Sequence, residues 1–258
     1  MKPNVKILLL GITALAIIAL YFFIDYKVET KGVEIRKADF ASLVKPKELP
    51  GTDTMSVHPD SMKLEQVKHE PDTAQNILFF GDSMLEGLTR RFIDYADQNG
   101  HTLQTVVWYS SSTELWANTD TLEYFLKKHN PTYVVICLGG NELFVRDIDK
   151  RKENIKKIVG KLGDLPYVWV SPPNWKEDTG INDAIISVVG KGRYFDSRYL
   201  ELERGHDHAH PTFPAAAIWM DTIARWLQSP ACQNPLLMEW PQEDKPPRNV
   251  TMLKPYYP

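Results

Sequence analysis

A serine, an asparagine amide and an Asp-x-x-His pair stand in this chain where acyl transfer to a hydroxyl would need them. Ser83 lies in Phe79-Phe80-Gly81-Asp82-Ser83-Met84-Leu85-Glu86-Gly87, at the point where an apolar, strand-like run gives way to a helix-like one. Attack by a serine requires a base to take its proton, a group to hold that base in the right tautomer, and donors for the oxyanion. His210 is the candidate base, with Asp207 three residues earlier as the orienting acid. At a helix start Ser83 also offers its own unpaired backbone N–H to the oxyanion, and Asn141, after Gly139-Gly140, offers a side-chain amide.

Each element has a plainer reading. Gly-Asp-Ser is an ordinary turn composition, and Asn141 after two glycines reads equally as a turn residue. Ser83 with Glu86 three residues later is also a capping-box pattern. His206-Asp207-His208-Ala209-His210 is dense in metal-ligand types, so Zn²⁺ is the competing chemistry there. No second ligand cluster accompanies it, and a metal site would leave Ser83 and Asn141 unexplained. Neither metal nor cofactor is expected.

The chain order Ser, Asn, Asp-x-x-His, with the first two directly after predicted strands, resembles the SGNH (GDSL-type) hydrolase family over roughly Asn76 to Gln228. The resemblance implies that Ser83 is the nucleophile, that Asp207 and His210 complete its triad, and that Ser83 and Asn141 belong to the oxyanion hole. The sequence departs from the family twice. Glu142 stands where an Asp is usual, and Trp108-Tyr109-Ser110-Ser111-Ser112-Thr113 lacks the Gly whose N–H normally supplies a further oxyanion donor. Position favours the Ser111 amide for that role, with Ser110 and Ser112 as competitors, since any backbone N–H can serve if its conformation is allowed. The alternative is a hydroxyl-rich loop capping a helix that begins near Glu114. Trp108, Tyr109 and Trp175 are candidates for a substrate platform, against a reading of these aromatics, and of Trp116, as core.

Positioning such residues requires a scaffold, and from Asn76 onward apolar runs of strand length alternate with amphipathic stretches, the pattern of βαβ units. Strands are expected at Ile77–Phe80, Leu103–Trp108, Tyr133–Leu138, Tyr167–Ser171 and Tyr194–Asp196. Leu85, Leu88, Phe92 and Ala96 recur at helical spacing, as do Leu122, Phe125 and Leu126, then Ile155, Ile158 and Leu162, while Phe213–Leu227 reads as a last helix. The expected fold is an α/β three-layer α/β/α sandwich around a five-stranded parallel sheet, flavodoxin-like. Beyond Ser229 the prolines exclude a regular helix or a central strand. The expected organisation is therefore 1–25 cytoplasmic tip and anchor, 26–75 stalk, 76–229 catalytic domain, and 230–258 Pro-rich tail.

Residues Ile7 to Ile24 carry no charge and would span roughly 27 Å as a helix, close to the hydrocarbon thickness of a bilayer. Lys2 and Lys6 precede them, so the positive-inside rule places everything after Asp25 outside the cytoplasm, in a single-pass arrangement. A cleaved signal peptide is the alternative, but this apolar core is longer than usual and no clean small-x-small site follows it. The 258 residues carry a formal charge of −3 with both signs interspersed, which excludes the basic patch that nucleic acid requires. Only Cys137 and Cys232 are present, so there is no disulfide framework. Cys137 reads as a small buried hydrophobe, with a single bridge to Cys232 as the alternative.

The family resemblance and the outward topology together imply a membrane-anchored serine esterase that removes a small acyl group, such as acetyl, from an envelope carbohydrate. An O-acyltransferase supplied by a membrane-bound acyl-donor protein would use the same residues. A non-catalytic carbohydrate-binding module is the reading from another class, prompted by the missing Gly and by Glu142.

Overall fold

A computed structural model of the chain describes residues 74–255 together with two short strands, β1 (Lys27–Thr30) and β2 (Val33–Arg36). These two pair antiparallel with Thr30 opposite Val33, inside the stretch expected to be a stalk without regular elements. Val28, Val33 and Ile35 alternate over strands of four residues, too short a run to register as a pattern. The apolar segment Ile7–Ile24 lies outside the described residues. Among the described residues no helix is long and apolar enough to cross a membrane.

The larger unit is built on β3 (Asn76–Gly81), β4 (Thr102–Trp108), β5 (Tyr133–Cys137), β6 (Tyr167–Val170), β7 (Tyr194–Phe195) and β8 (Val250–Leu253). Every pairing in this sheet is parallel, and the strand order is β7-β6-β5-β3-β4-β8. Counted from β3, the first five strands follow the order 2-1-3-4-5 of a flavodoxin-like sheet. The expected count of five is corrected to six. The sixth strand comes from the Pro-rich tail, whose prolines end at Pro247 before β8 and resume after it, leaving just enough non-proline chain for an edge strand.

Helices cover both faces. On one lie α1 (Leu85–Gln98) and, pairing with it, the last helix; on the other lie α2 (Thr113–Asn118), α3 (Thr121–His129), α4 (Ile148–Leu162) and α5 (Ile181–Val189). The last helix, α6, spans Phe213–Leu227, with Thr212 as its N-cap accepting from the Ala215 N–H. Alternation along each strand divides the core between the two layers. Ile77, Phe79, Val135 and Cys137 pack with Leu88, Phe92 and Trp219. Leu78, Phe80, Val134 and Ile136 pack with Trp116, Phe125, Ile155 and Ile185. Strands buried on both sides read as nearly continuous hydrophobic runs, which is the composition seen here. Both cysteines are free and buried.

Gly81 ends β3 because nothing larger fits: a Cβ there would stand 1.9 Å from the carbonyl oxygen of Cys137 on β5. That close approach fixes where β3 stops and where the chain must turn, at Asp82 and Ser83. Gly139 performs the matching turn after β5, with φ 123°, a conformation that favours glycine.

Candidate active site

The carboxyl ends of β3, β4, β5 and β7 deliver four loops to one edge of the sheet, the place where open α/β folds bind ligands. Ser83 follows β3 and precedes α1, whose N-cap position is Met84 and carries no side-chain cap. The capping-box alternative is therefore not formed. Ser83 Oγ instead stands 2.8 Å from His210 Nε2, and Glu86 Oε2 accepts from the Tyr109 hydroxyl at 2.6 Å in place of a capping bond. Among the described residues the Ser83 N–H has no acceptor, which leaves it available to an oxyanion.

The Asp-x-x-His spacing has a local cause. Asp207 Oδ1 accepts the backbone N–H groups of Ala209 and His210, both at 3.0 Å. The same carboxylate's Oδ2 meets His210 Nδ1 at 2.5 Å. These bonds, led by the one from Ala209, hold the Asp207 carboxyl well below the usual carboxylate range. An ionised carboxylate only accepts, so Nδ1 carries a proton and Nε2 is left to accept from the Ser83 hydroxyl. The loop is pinned at its base, where Gly205 N–H donates to the His210 carbonyl at 2.9 Å and Arg204 pairs with Pro211 as an antiparallel bridge. Arg204 also donates to the carbonyls of Ala209, Pro173 and Asn174, tying the His210 loop to the one after β6. Nothing in the sequence pointed to Arg204, because it acts on backbone carbonyls that any residue types would supply. His206 and His208 share this loop with no ligand cluster around them: among the described residues no three His, Cys, Asp or Glu side chains are placed to hold a metal ion.

Asn141 lies in the 3₁₀ turn Gly140–Glu142 after β5, and its Nδ2 donates to the Ser111 carbonyl at 3.0 Å. Glu142 reaches into the interior and accepts from both the N–H and the hydroxyl of Thr113, at 2.8 and 2.7 Å. Arg151 Nη1 stands 3.4 Å from it. Burial pushes the Glu142 carboxyl above its ordinary range despite these partners. This Glu fastens the start of α2 to the Asn141 turn.

Two of the expected roles change on the structure. The Ser111 amide is turned inward and donates to the Trp108 carbonyl at 3.1 Å, while its buried hydroxyl accepts from Trp116 Nε1 at 3.0 Å. The turn is made by Ser110 in the left-handed region, φ 58°. The amides without an acceptor among the described residues are those of Ser110 and Ser112, so the candidate donor moves from Ser111 to its neighbours. Trp108, expected in a substrate platform, is buried edge-on against Trp116 and donates to the Lys254 carbonyl. It shares a strand face with Val106, two residues earlier, and so belongs to the α2–α5 core.

Tyr109 and Trp175 are placed nearer the chemistry. Tyr109 bonds Glu86, which lines the cleft around Ser83, and this bond to the carboxylate raises the phenol to about 12. Trp175 Nε1 donates to the Gly140 carbonyl at 3.3 Å, beside Asn141, and packs edge-on against the exposed Phe144. The cleft itself has a volume of about 260 Å³ and is walled by Ser83, Glu86, Gly87, His210, Thr212 and Phe213 among others.

No family profile and no curated protein matches this chain. Among solved structures it is similar to one from Desulfitobacterium hafniense DCB-2, provisionally assigned as a lipolytic protein of the G-D-S-L family. The match covers 58% of this chain and 98% of that one, at 15% identity and a TM-score of 0.41.

Proposed function

We propose that this chain is a serine esterase of SGNH type, anchored in a membrane by Ile7–Ile24 with its catalytic unit outside the cytoplasm, and that it removes acetyl or a similarly small acyl group from an envelope carbohydrate. The observation that carries this reading is the continuous relay from Ser83 Oγ through His210 to Asp207, at 2.8 and 2.5 Å.

In the proposed mechanism His210 Nε2 takes the hydroxyl proton as Ser83 Oγ attacks the ester carbonyl, and Asp207 favours the imidazolium that forms. The Ser83 N–H, the Asn141 amide and a backbone N–H of Ser110 or Ser112 receive the oxyanion. Collapse returns the proton from His210 to the departing alcohol and leaves an acyl-Ser83. Water, deprotonated by the same His210, then releases the acid. Asp207 and His210 side chains are 53% and 42% exposed, so water reaches the base, as the hydrolytic second step requires.

The test is mass spectrometry after incubation with 4-nitrophenyl acetate and with a serine-directed fluorophosphonate, with Ser83→Ala as control. A covalent adduct confined to Ser83 is expected. A folded wild type that takes no adduct would remove the catalytic reading and favour a carbohydrate-binding module.

A further inference from the structure

Glu86 is the one carboxylate lining the Ser83 cleft. It follows Ser83 by one helical turn, so its side chain stands over the turn that carries the nucleophile. Tyr109 holds Oε2 at 2.6 Å, and among the described residues Oε1 has no partner and no cation pairs with the group. Arg90 is four residues further along α1, the spacing at which a Glu–Arg pair ordinarily forms. Its guanidinium instead lies over the Phe213 ring, 3.9 Å from the centroid, leaving Glu86 open to the cleft. The wall combines the free Glu86 oxygen, Thr212 with its hydroxyl donated to Glu203 at 3.1 Å, and the half-exposed Phe213 ring with Arg90 on one face. Such a wall suits a ligand that donates several O–H groups.

We infer that Glu86 determines specificity on the alcohol side of the ester, accepting hydrogen bonds from free hydroxyls of a sugar, and that Tyr109 is the positioning residue that aims it. This rests on the serine-esterase reading above and assigns the residue that would recognise its carbohydrate: esters of polyhydroxylated alcohols are favoured over esters of simple alcohols. The physical basis is an asymmetry. Oε1 covered by a ligand that brings no donor loses its hydration unrepaid, so an ester lacking hydroxyls is rejected more strongly than a missing contact alone would explain.

The experiment compares kcat/KM of the full chain, purified in detergent, for methyl 6-O-acetyl-glucopyranoside and its 2,3,4-tri-O-methyl analogue, following acetate release. Wild type is expected to favour the free-hydroxyl ester by about 10-fold or more, the range of a hydrogen bond to a charged group. Glu86→Gln should reduce that ratio, and Glu86→Met should bring it near unity. Tyr109→Phe should lower the ratio chiefly through KM of the hydroxylated ester, a split that a merely structural role would not produce. An equal ratio in wild type and Glu86→Met, with Ser83 labelled by the fluorophosphonate in both, overturns the Glu86 inference alone. Unlabelled Ser83 in folded wild type overturns the esterase reading, and the inference falls with it.

Discussion

Asn141 Nδ2 donates to the Ser111 carbonyl at 3.0 Å, so the side chain proposed to bind the oxyanion is anchored to the loop proposed to supply a neighbouring donor. A primary amide has two N–H groups, and one committed to Ser111 leaves the other for the reacting oxygen. The next residue repeats the tie, since Glu142 accepts from Thr113 on the far side of the same loop. Two successive residues after β5 thus set the loop after β4, and the pairing is maintained without the Gly that the family resemblance had implied.

Asn141→Ala is expected to lower kcat by about 10² to 10³, the loss typical of one oxyanion donor, with KM changed far less. Steady-state kinetics on 4-nitrophenyl acetate checks this. A fall of less than threefold would show that the amide serves only to hold Ser111.

Glu142→Ala removes a buried acceptor and leaves the Thr113 N–H and one side of Arg151 without it. The expected loss is about 1 to 3 kcal/mol of stability in urea unfolding, the penalty for stranding buried polar groups. Glu142→Gln keeps one acceptor oxygen and should lose less. Equal stability of both variants with wild type would mean that α2 is held by its packing alone.

The scaffold and the meeting of Ser83, His210 and Asp207 depend on local pattern, which a sequence displays. β3 to β7 lie within about a residue of the apolar runs that announce them, and α6 begins and ends where its spacing predicts. Ser83, Asp207 and His210 were found through short motifs whose internal spacing is enforced by backbone bonds, such as those from Ala209 and His210 to Asp207. Features that depend on distant partners were not legible. Trp108 becomes core because Trp116 and Lys254 meet it, and the Ser111 amide is lost to the oxyanion because Ser110 turns left-handed. α5 escaped notice because Ile181–Val189 is only 9 residues long and its β-branched Ile185, Ile186, Val188 and Val189 read as readily as a strand.

Asp82, beside the proposed nucleophile Ser83, is fully buried with Oδ1 accepting the Met84 N–H, and burial pushes its carboxyl up to about 7. Glu142 adds to the rise, while Met84 and His210 oppose it. The unfolded carboxyl ionises near pH 4, so between about pH 4 and 7 the folded state holds more protons than the unfolded one, and stability falls as pH rises through that window. Asp82→Asn keeps an oxygen for the Met84 N–H and removes the titration. The stability of this variant relative to wild type is expected to grow by a few kcal/mol, about 1.4 per pH unit, from pH 4 to pH 7. A constant difference across that range in urea titrations would contradict the assignment.

The chain after Ser229, expected to be a Pro-rich tail whose aromatic residues hint at packing, closes the end of the sheet opposite Ser83 and His210. Cys232, Leu236 and Met238 are buried in the α1/α6 layer. Asn234 accepts from the Tyr133 hydroxyl and donates to the Tyr167 carbonyl, and His101 Nε2 meets the Leu237 carbonyl at 2.8 Å, so the starts of β4, β5 and β6 are all held by this segment. Burying Leu236 and Met238 contributes roughly 1.5 to 3 kcal/mol each, a large part of the stability of a typical domain. Deleting residues 230–258 should therefore leave a chain that does not fold cooperatively, with activity lost although the triad is intact in sequence. Deleting only 250–258 removes a half-exposed edge strand and should give a folded, less stable protein. Near-ultraviolet circular dichroism during thermal unfolding separates the two, and a cooperative transition at the wild-type midpoint in the longer deletion would show that the tail is an appendage after all.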